Sequence, residues 1–272
     1  MLYLFKTTLF LYFIFSLAYT QGFVIQEEEF GKNIVQYEEF DWKYIQTAHF
    51  DVYYYNGGYN HAIFTAEESE IAYNHISSRL NWDLKNRVSI IVYNSHNDFQ
   101  QTNVVQMFTP EGVGGVTELY KNRIVIPFDG SIKEFKHVIH HELVHAFIND
   151  CVYKGSIQNM IANSVKVRIP NWMNEGLAEY LSTDWETNSD MWIRELSTNG
   201  KELPNINQLT GYLAYRGGQS VWKFIVSKWG EESISEIIIQ IKNKNNVNQG
   251  INAALGIDFE TLNKQWHKYL KS

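Results

Sequence analysis

His141-Glu142-Leu143-Val144-His145 lies inside the apolar run from Ile132 to Ile148, and its spacing decides how the rest of the chain is read. Residues four apart in a helix stand one above the other on the same face, so two imidazoles at this spacing can hold one metal ion. Glu142 sits roughly a quarter of a turn further round, too far for a natural third ligand but close enough to reach a water at the metal. Ser131, followed three residues later by Glu134, is a capping box and gives this helix a defined start.

Upstream of that start the pattern is that of strands and one helix. Phe50-Asp51-Val52-Tyr53-Tyr54-Tyr55 alternates loosely and stops at Asn56-Gly57-Gly58, which reads as a strand and a turn. Tyr59 to Leu80, with Ile63, Ala66, Ile71, Ala72, Ile76 and Leu80, suits an amphipathic helix. Val88 to Tyr93 is a nearly continuous apolar strand. After Gly112, Gly114 and Gly115, Val116 to Tyr120 and Arg123 to Phe128 form a hairpin turned at Lys121-Asn122. The order strand, helix, strand, hairpin implies a small sheet backed by helices.

Downstream the pattern is helical almost throughout. Pro170 precedes the helical run Asn171 to Leu181, and further helices are expected over about 211–229, 232–242 and 258–271. The Asn and Lys cluster from Lys242 to Asn248 reads as a solvated loop. The fold class expected is therefore α+β: an N-terminal lobe (21–130) with a mixed sheet, and a mostly helical lobe (131–272) that begins with the histidine helix. The active site would lie between them.

With 272 residues and 44% hydrophobic content, the chain can bury a sizeable core. A net charge of −7 argues against non-specific nucleic-acid binding, which needs a basic face. Residues 1–20 carry one charged side chain, Lys6, before the near-continuous apolar run Leu9–Ala18 and the small residues Ala18 and Thr20. That is the pattern of a signal peptide, with an uncleaved N-terminal anchor as the rival reading, and it implies an exported, periplasmic or extracellular protein. Cys151 is the only cysteine, so the chain makes no internal disulfide. It reads as a buried inert thiol rather than a fourth metal ligand, because a catalytic zinc keeps one position for water.

A catalytic zinc site takes three protein ligands, and His141 and His145 supply two. A histidine six residues beyond His145 is excluded, since that position is Cys151. The best candidate for the third is Glu175, with Glu179 one turn later. His137 and His140 crowd the same helix, but no glutamate follows the first histidine of the His137/His141 pair, and both read as structural or supporting residues.

Together with Asn171-Trp172-Met173-Asn174-Glu175-Gly176-Leu177-Ala178-Glu179-Tyr180, the pentapeptide resembles the gluzincin metallopeptidases, and in particular the exported bacterial peptidase MA-like group. The resemblance implies a zincin-like fold and a Zn2+ cofactor held by His141, His145 and Glu175, with Glu179 orienting a histidine ligand. Glu142 would be the general base for hydrolysis of a peptide bond in a peptide or protein substrate. Tyr215-Arg216-Gly217-Gly218 is similar to a segment whose tyrosine stabilises the oxyanion in related enzymes. This suggests Tyr215, with Tyr212 as the alternative, although Gly217 stands where that motif has lysine. The group also implies an edge strand that pairs with an extended peptide, either Val113–Tyr120 or Arg123–Phe128. Relatives often continue into a β-propeller, so a chain ending at Ser272 is expected to lack one or to meet an envelope or propeller-containing partner. Two rival readings share the motif: a gluzincin-fold binding module that does not cleave, and a zinc hydrolase of a non-peptide bond.

Overall fold

The computed structural model describes residues 37–104, 114–119, 121–153, 167–183, 185, 187–198 and 202–271. The described residues all fall in one compact unit, within which the sheet gives way to the histidine helix near residue 130. The expected signal peptide at 1–20 lies outside the described residues.

Five strands, β1 (Lys43–Gln46), β2 (Phe50–Tyr54), β3 (Val88–Tyr93), β4 (Val116–Glu118) and β5 (Arg123–Pro127), form one mixed sheet in the order β1-β2-β3-β5-β4. β2, β3 and β5 run parallel, while β1 and β4 are antiparallel edges. The parallel strands are joined through α1 (Tyr59–Leu80) and the short α2 (His96–Phe99). β3 reads as a continuous apolar run because it is the central strand, covered on both faces. Of the two candidate edge strands, β4 is the edge, and β5 is interior with a partner on each side. Val113 and Tyr120, the ends of the longer stretch expected there, lie outside the described residues. The hairpin turns on Asn122 in the left-handed region at φ 51°, and its side-chain amide donates to Ala146 O at 3.0 Å. This bond ties the turn to the following helix.

That helix, α3 (Ile132–Tyr153), begins where Ser131 Oγ accepts from the Glu134 amide at 3.3 Å. Alternation in β5 splits the core. Ile124 and Ile126 meet α1 and α3 on one face, whereas Val125 joins Tyr55, Tyr93 and Phe99 on the other. Phe135, Ile139, Leu143, Val144 and Phe147 give α3 its buried apolar stripe.

Among the described residues six further α-helices follow: α4 (Asn171–Ser182), α5 (Thr187–Thr198), α6 (Tyr212–Trp229), α7 (Glu232–Lys244), α8 (Val247–Leu255) and α9 (Phe259–Leu270). The solvated loop expected at Lys242–Asn248 is instead a tight helix junction. Asn245 takes the left-handed conformation that ends α7, and Asn246 caps α8 by accepting from the Gln249 amide at 3.0 Å. α4 and α6 cross at Gly176 and Gly218. A Cβ on Gly176 would stand 2.3 Å from the Gly218 carbonyl carbon, and one on Gly218 would stand 2.1 Å from Trp172 O. Only the missing side chains permit this approach. Two buried indoles lock it, with Trp222 Nε1 donating to Met173 O at 3.0 Å and Trp266 Nε1 to Ser220 Oγ at 3.1 Å. The architecture is α+β, a sheet-bearing half followed by a mostly helical one.

Candidate active site

His141 and His145 project from one face of α3 toward α4, where Glu175 lies in the second turn behind Pro170. Their three ligand atoms form a nearly equilateral triangle: His141 Nε2 to His145 Nε2 is 3.2 Å, His141 Nε2 to Glu175 Oε2 is 3.3 Å, and His145 Nε2 to Glu175 Oε2 is 3.2 Å. Donors about 2.0–2.1 Å from a tetrahedral zinc stand about 3.3–3.4 Å apart, so the triangle has the right edge. The chemistry fits as well. His141 Nδ1 faces Glu179 Oε1 at 3.1 Å, so a ring proton on Nδ1 meets an acceptor and, with a cation in the triangle, the Nε2 lone pair is free for it. Two imidazole nitrogens and a carboxylate oxygen converging on one point suit a cation there.

Glu142 is buried beside this triangle and faces the sheet edge. Thr117 Oγ1, from β4, donates to Glu142 Oε2 at 2.6 Å and also lies 2.9 Å from the Glu142 carbonyl. The edge strand therefore holds the carboxylate from one side.

Glu179, one turn beyond Glu175, has both oxygens occupied. Oε1 lies 3.1 Å from His141 Nδ1 and 3.2 Å from His137 Nε2, and Oε2 lies 2.9 Å from Arg216 Nη1. Without a cation in the triangle, burial alone would push His141 toward its neutral form, but the carboxylates of Glu175 and Glu179 outweigh it and raise its pKa. Burial opposes ionisation of both glutamates too, yet the histidines facing them hold each carboxyl well below its usual range.

Residues 74–272 match the Peptidase MA superfamily. The chain belongs to this superfamily. No curated protein matches it. Among solved structures, it resembles a mutant of the M1 zinc metallopeptidase from Deinococcus radiodurans, with a TM-score of 0.50 and 13% identity over 82% of this chain and 50% of that one. The non-mutant enzyme from the same organism gives a TM-score of 0.48 and 13% identity over 82% and 50%. The peptidase MA chain thus spans about half the length of these structures.

In this peptidase MA chain the two tyrosines separate clearly. The Tyr215 ring stacks on His141, with centroids 5.8 Å apart and planes 16° from parallel. Burial first, then the negative charge of Glu175 and Glu142, pushes its hydroxyl pKa well above the ordinary 10, so it stays protonated as a donor. Tyr212 is 64% exposed and packs edge-on against Trp192 at the rim. Both line a cleft of about 420 Å³ with Gly114, Val138, His141 and Glu142.

His140 points away from the triangle and pairs with Glu68 Oε2 at 3.1 Å, whereas His137 joins the Glu179 cluster. Cys151 is buried, and burial pushes its thiol pKa up to about 11; it belongs to neither metal-capable cluster found among the described residues. Thr117 and the Arg216 contact to Glu179 were not anticipated. Thr117 carried one available signal, a hydroxyl at the centre of a short strand just after a Gly-Gly pair.

Proposed function

We propose that this chain is a zinc-dependent metallopeptidase that hydrolyses peptide bonds with Glu142 as general base. The observation that supports this most is the triangle of His141, His145 and Glu175 with the Glu142 carboxylate beside it in one cleft. Zinc held by those three residues supplies Lewis acidity, lowering the pKa of a water toward about 7 and polarising the scissile carbonyl. The chain's own groups do the rest. Thr117 binds Glu142 Oε2, leaving Oε1 to take the water proton. Glu142 then passes that proton to the amine nitrogen as the C–N bond breaks. Tyr215, kept protonated by its surroundings, donates to the oxygen on which negative charge develops.

Zinc content and hydrolysis of a mixed peptide library, measured for wild type and Glu142→Gln, test the reading. It requires zinc in both and cleavage only in the wild type. Wild type that binds zinc and cleaves no peptide would sink it in favour of a binding module. Residues 1–20 support an exported enzyme, and N-terminal sequencing of protein recovered outside the cytoplasm, expected to begin after Thr20, tests that part.

A further inference from the structure

We propose that Arg216 and His137 are positioning residues for the metal centre, acting through Glu179 to fix which nitrogen of His141 is left bare toward the metal. The proposal rests on the zinc reading above. The Glu179 carboxylate stands against three nitrogens on two sides, His137 Nε2 at 3.2 Å, His141 Nδ1 at 3.1 Å and Arg216 Nη1 at 2.9 Å, and an acceptor-only group favours a hydrogen on each of them. On His141 that hydrogen is at Nδ1, which leaves Nε2 free for the triangle. On His137 it is at Nε2, and Ser182 Oγ lies 3.3 Å from His137 Nδ1 on the far side.

Glu179 could serve His141 with one oxygen and still turn away, because a glutamate side chain has several rotamers. Arg216 closes that freedom by gripping Oε2 from a different helix. Arg216 is itself fixed: Nη1 lies 3.3 Å from Ser189 Oγ and 3.4 Å from Gln219 Oε1, two polar groups each only 1% exposed. Ser189 Oγ donates to Gln219 Oε1 at 3.1 Å, and Gln219 Nε2 donates to the Glu179 backbone oxygen at 3.4 Å. Buried polar groups are costly unless partnered. Here α5 and α6 commit Ser189 and Gln219 to holding the arginine that meets the Glu179 carboxylate behind His141.

The test is the zinc dissociation constant of the full chain, measured by competition with a chromophoric chelator. Loss of a group that orients a metal ligand typically weakens metal binding by about ten- to a hundredfold, and that is the loss expected for Arg216→Ala. Arg216→Lys, which returns one cationic donor, recovers most of it. In a Glu179→Ala background the effect disappears or reverses, because a guanidinium without its carboxylate is only a repelling cation beside the metal. A tie between helices with no bearing on His141 would lower affinity equally in both backgrounds. Thermal unfolding of the metal-free variants checks folding, and Arg216→Gln replaces Arg216→Ala if the latter does not fold. Unchanged affinity in the Arg216 variants, or equal losses with and without Glu179, overturns the proposal while the zinc reading stands. Wild type that binds no zinc overturns both.

Discussion

The hydroxyl of Thr117, on the edge strand, stands 2.6 Å from Oε2 of Glu142, on the helix that carries both histidines. A hydrogen bond to a charged group is worth about 1.5–3 kcal/mol, so Thr117→Val should cost about ten- to a hundredfold in kcat with zinc content unchanged. Steady-state kinetics beside metal analysis measures this. A kcat equal to wild type would show that the carboxylate needs no help from β4.

Tyr215→Phe removes the donor stacked on His141, and losing one oxyanion donor typically lowers kcat by about 10²–10³-fold. Tyr212→Phe, at the exposed rim, should leave kcat within about twofold of wild type, as surface changes usually do. Comparable losses in both variants would argue against the assignment to Tyr215.

Metal removal should be felt in stability as well as activity. A ligand at a thousand times its dissociation constant stabilises by about 4 kcal/mol, so zinc added to chelator-treated protein should raise Tm. In His145→Ala and Glu175→Ala, which open the triangle, zinc should leave Tm unmoved. An equal rise in these variants would place the ion elsewhere.

Gly176→Ala would normally favour a helix by about 1 kcal/mol. Here the new methyl meets the Gly218 backbone, which no rotamer change relieves, so a net loss of about 1–3 kcal/mol is expected. Denaturant unfolding measures it. A midpoint at or above that of wild type would mean that α4 and α6 can separate freely.

Cys151 should resist a thiol reagent at pH 8 in the native protein and react at once in guanidinium chloride, because burial holds its thiol protonated. The folded pKa of about 11 lies above the unfolded value of 9.0, so the unfolded chain loses this proton first as pH rises. Stability contributed here is intact below pH 9 and falls between pH 9 and about 11. Unfolding free energies at pH 8 and 10 should drop further for wild type than for Cys151→Val. Equal drops would remove the thiol from the account.

Local features were the legible ones. The helix Tyr59–Leu80 and the strand Val88–Tyr93 match the bounds expected from periodicity, because each pattern is complete within its own segment. Asn245 and Asn246 misled, since a left-handed helix end followed by an N-cap uses the same residues as a polar linker. β4 and β5 look alike as sequence, and only pairing with β3, far away in the chain, makes one an edge and the other interior. The site divides in the same way. His141, His145 and Glu142 share one helix and Glu175 carries a recognisable local motif, whereas Arg216 meets Glu179 across two helices and its partners Ser189 and Gln219 bear no local mark.

The indole of Trp266 bears on the order in which the molecule can be assembled. α9 anchors α6 through Ser220, and α6 in turn presents Tyr215 and Arg216 to the centre. A ribosome delivers the histidine helix well before the segment that seats its surroundings. Maturation of the centre therefore waits on a segment made after every ligand, and a nascent chain cut short before Trp266 would carry every ligand yet lack the clamp that holds them ready.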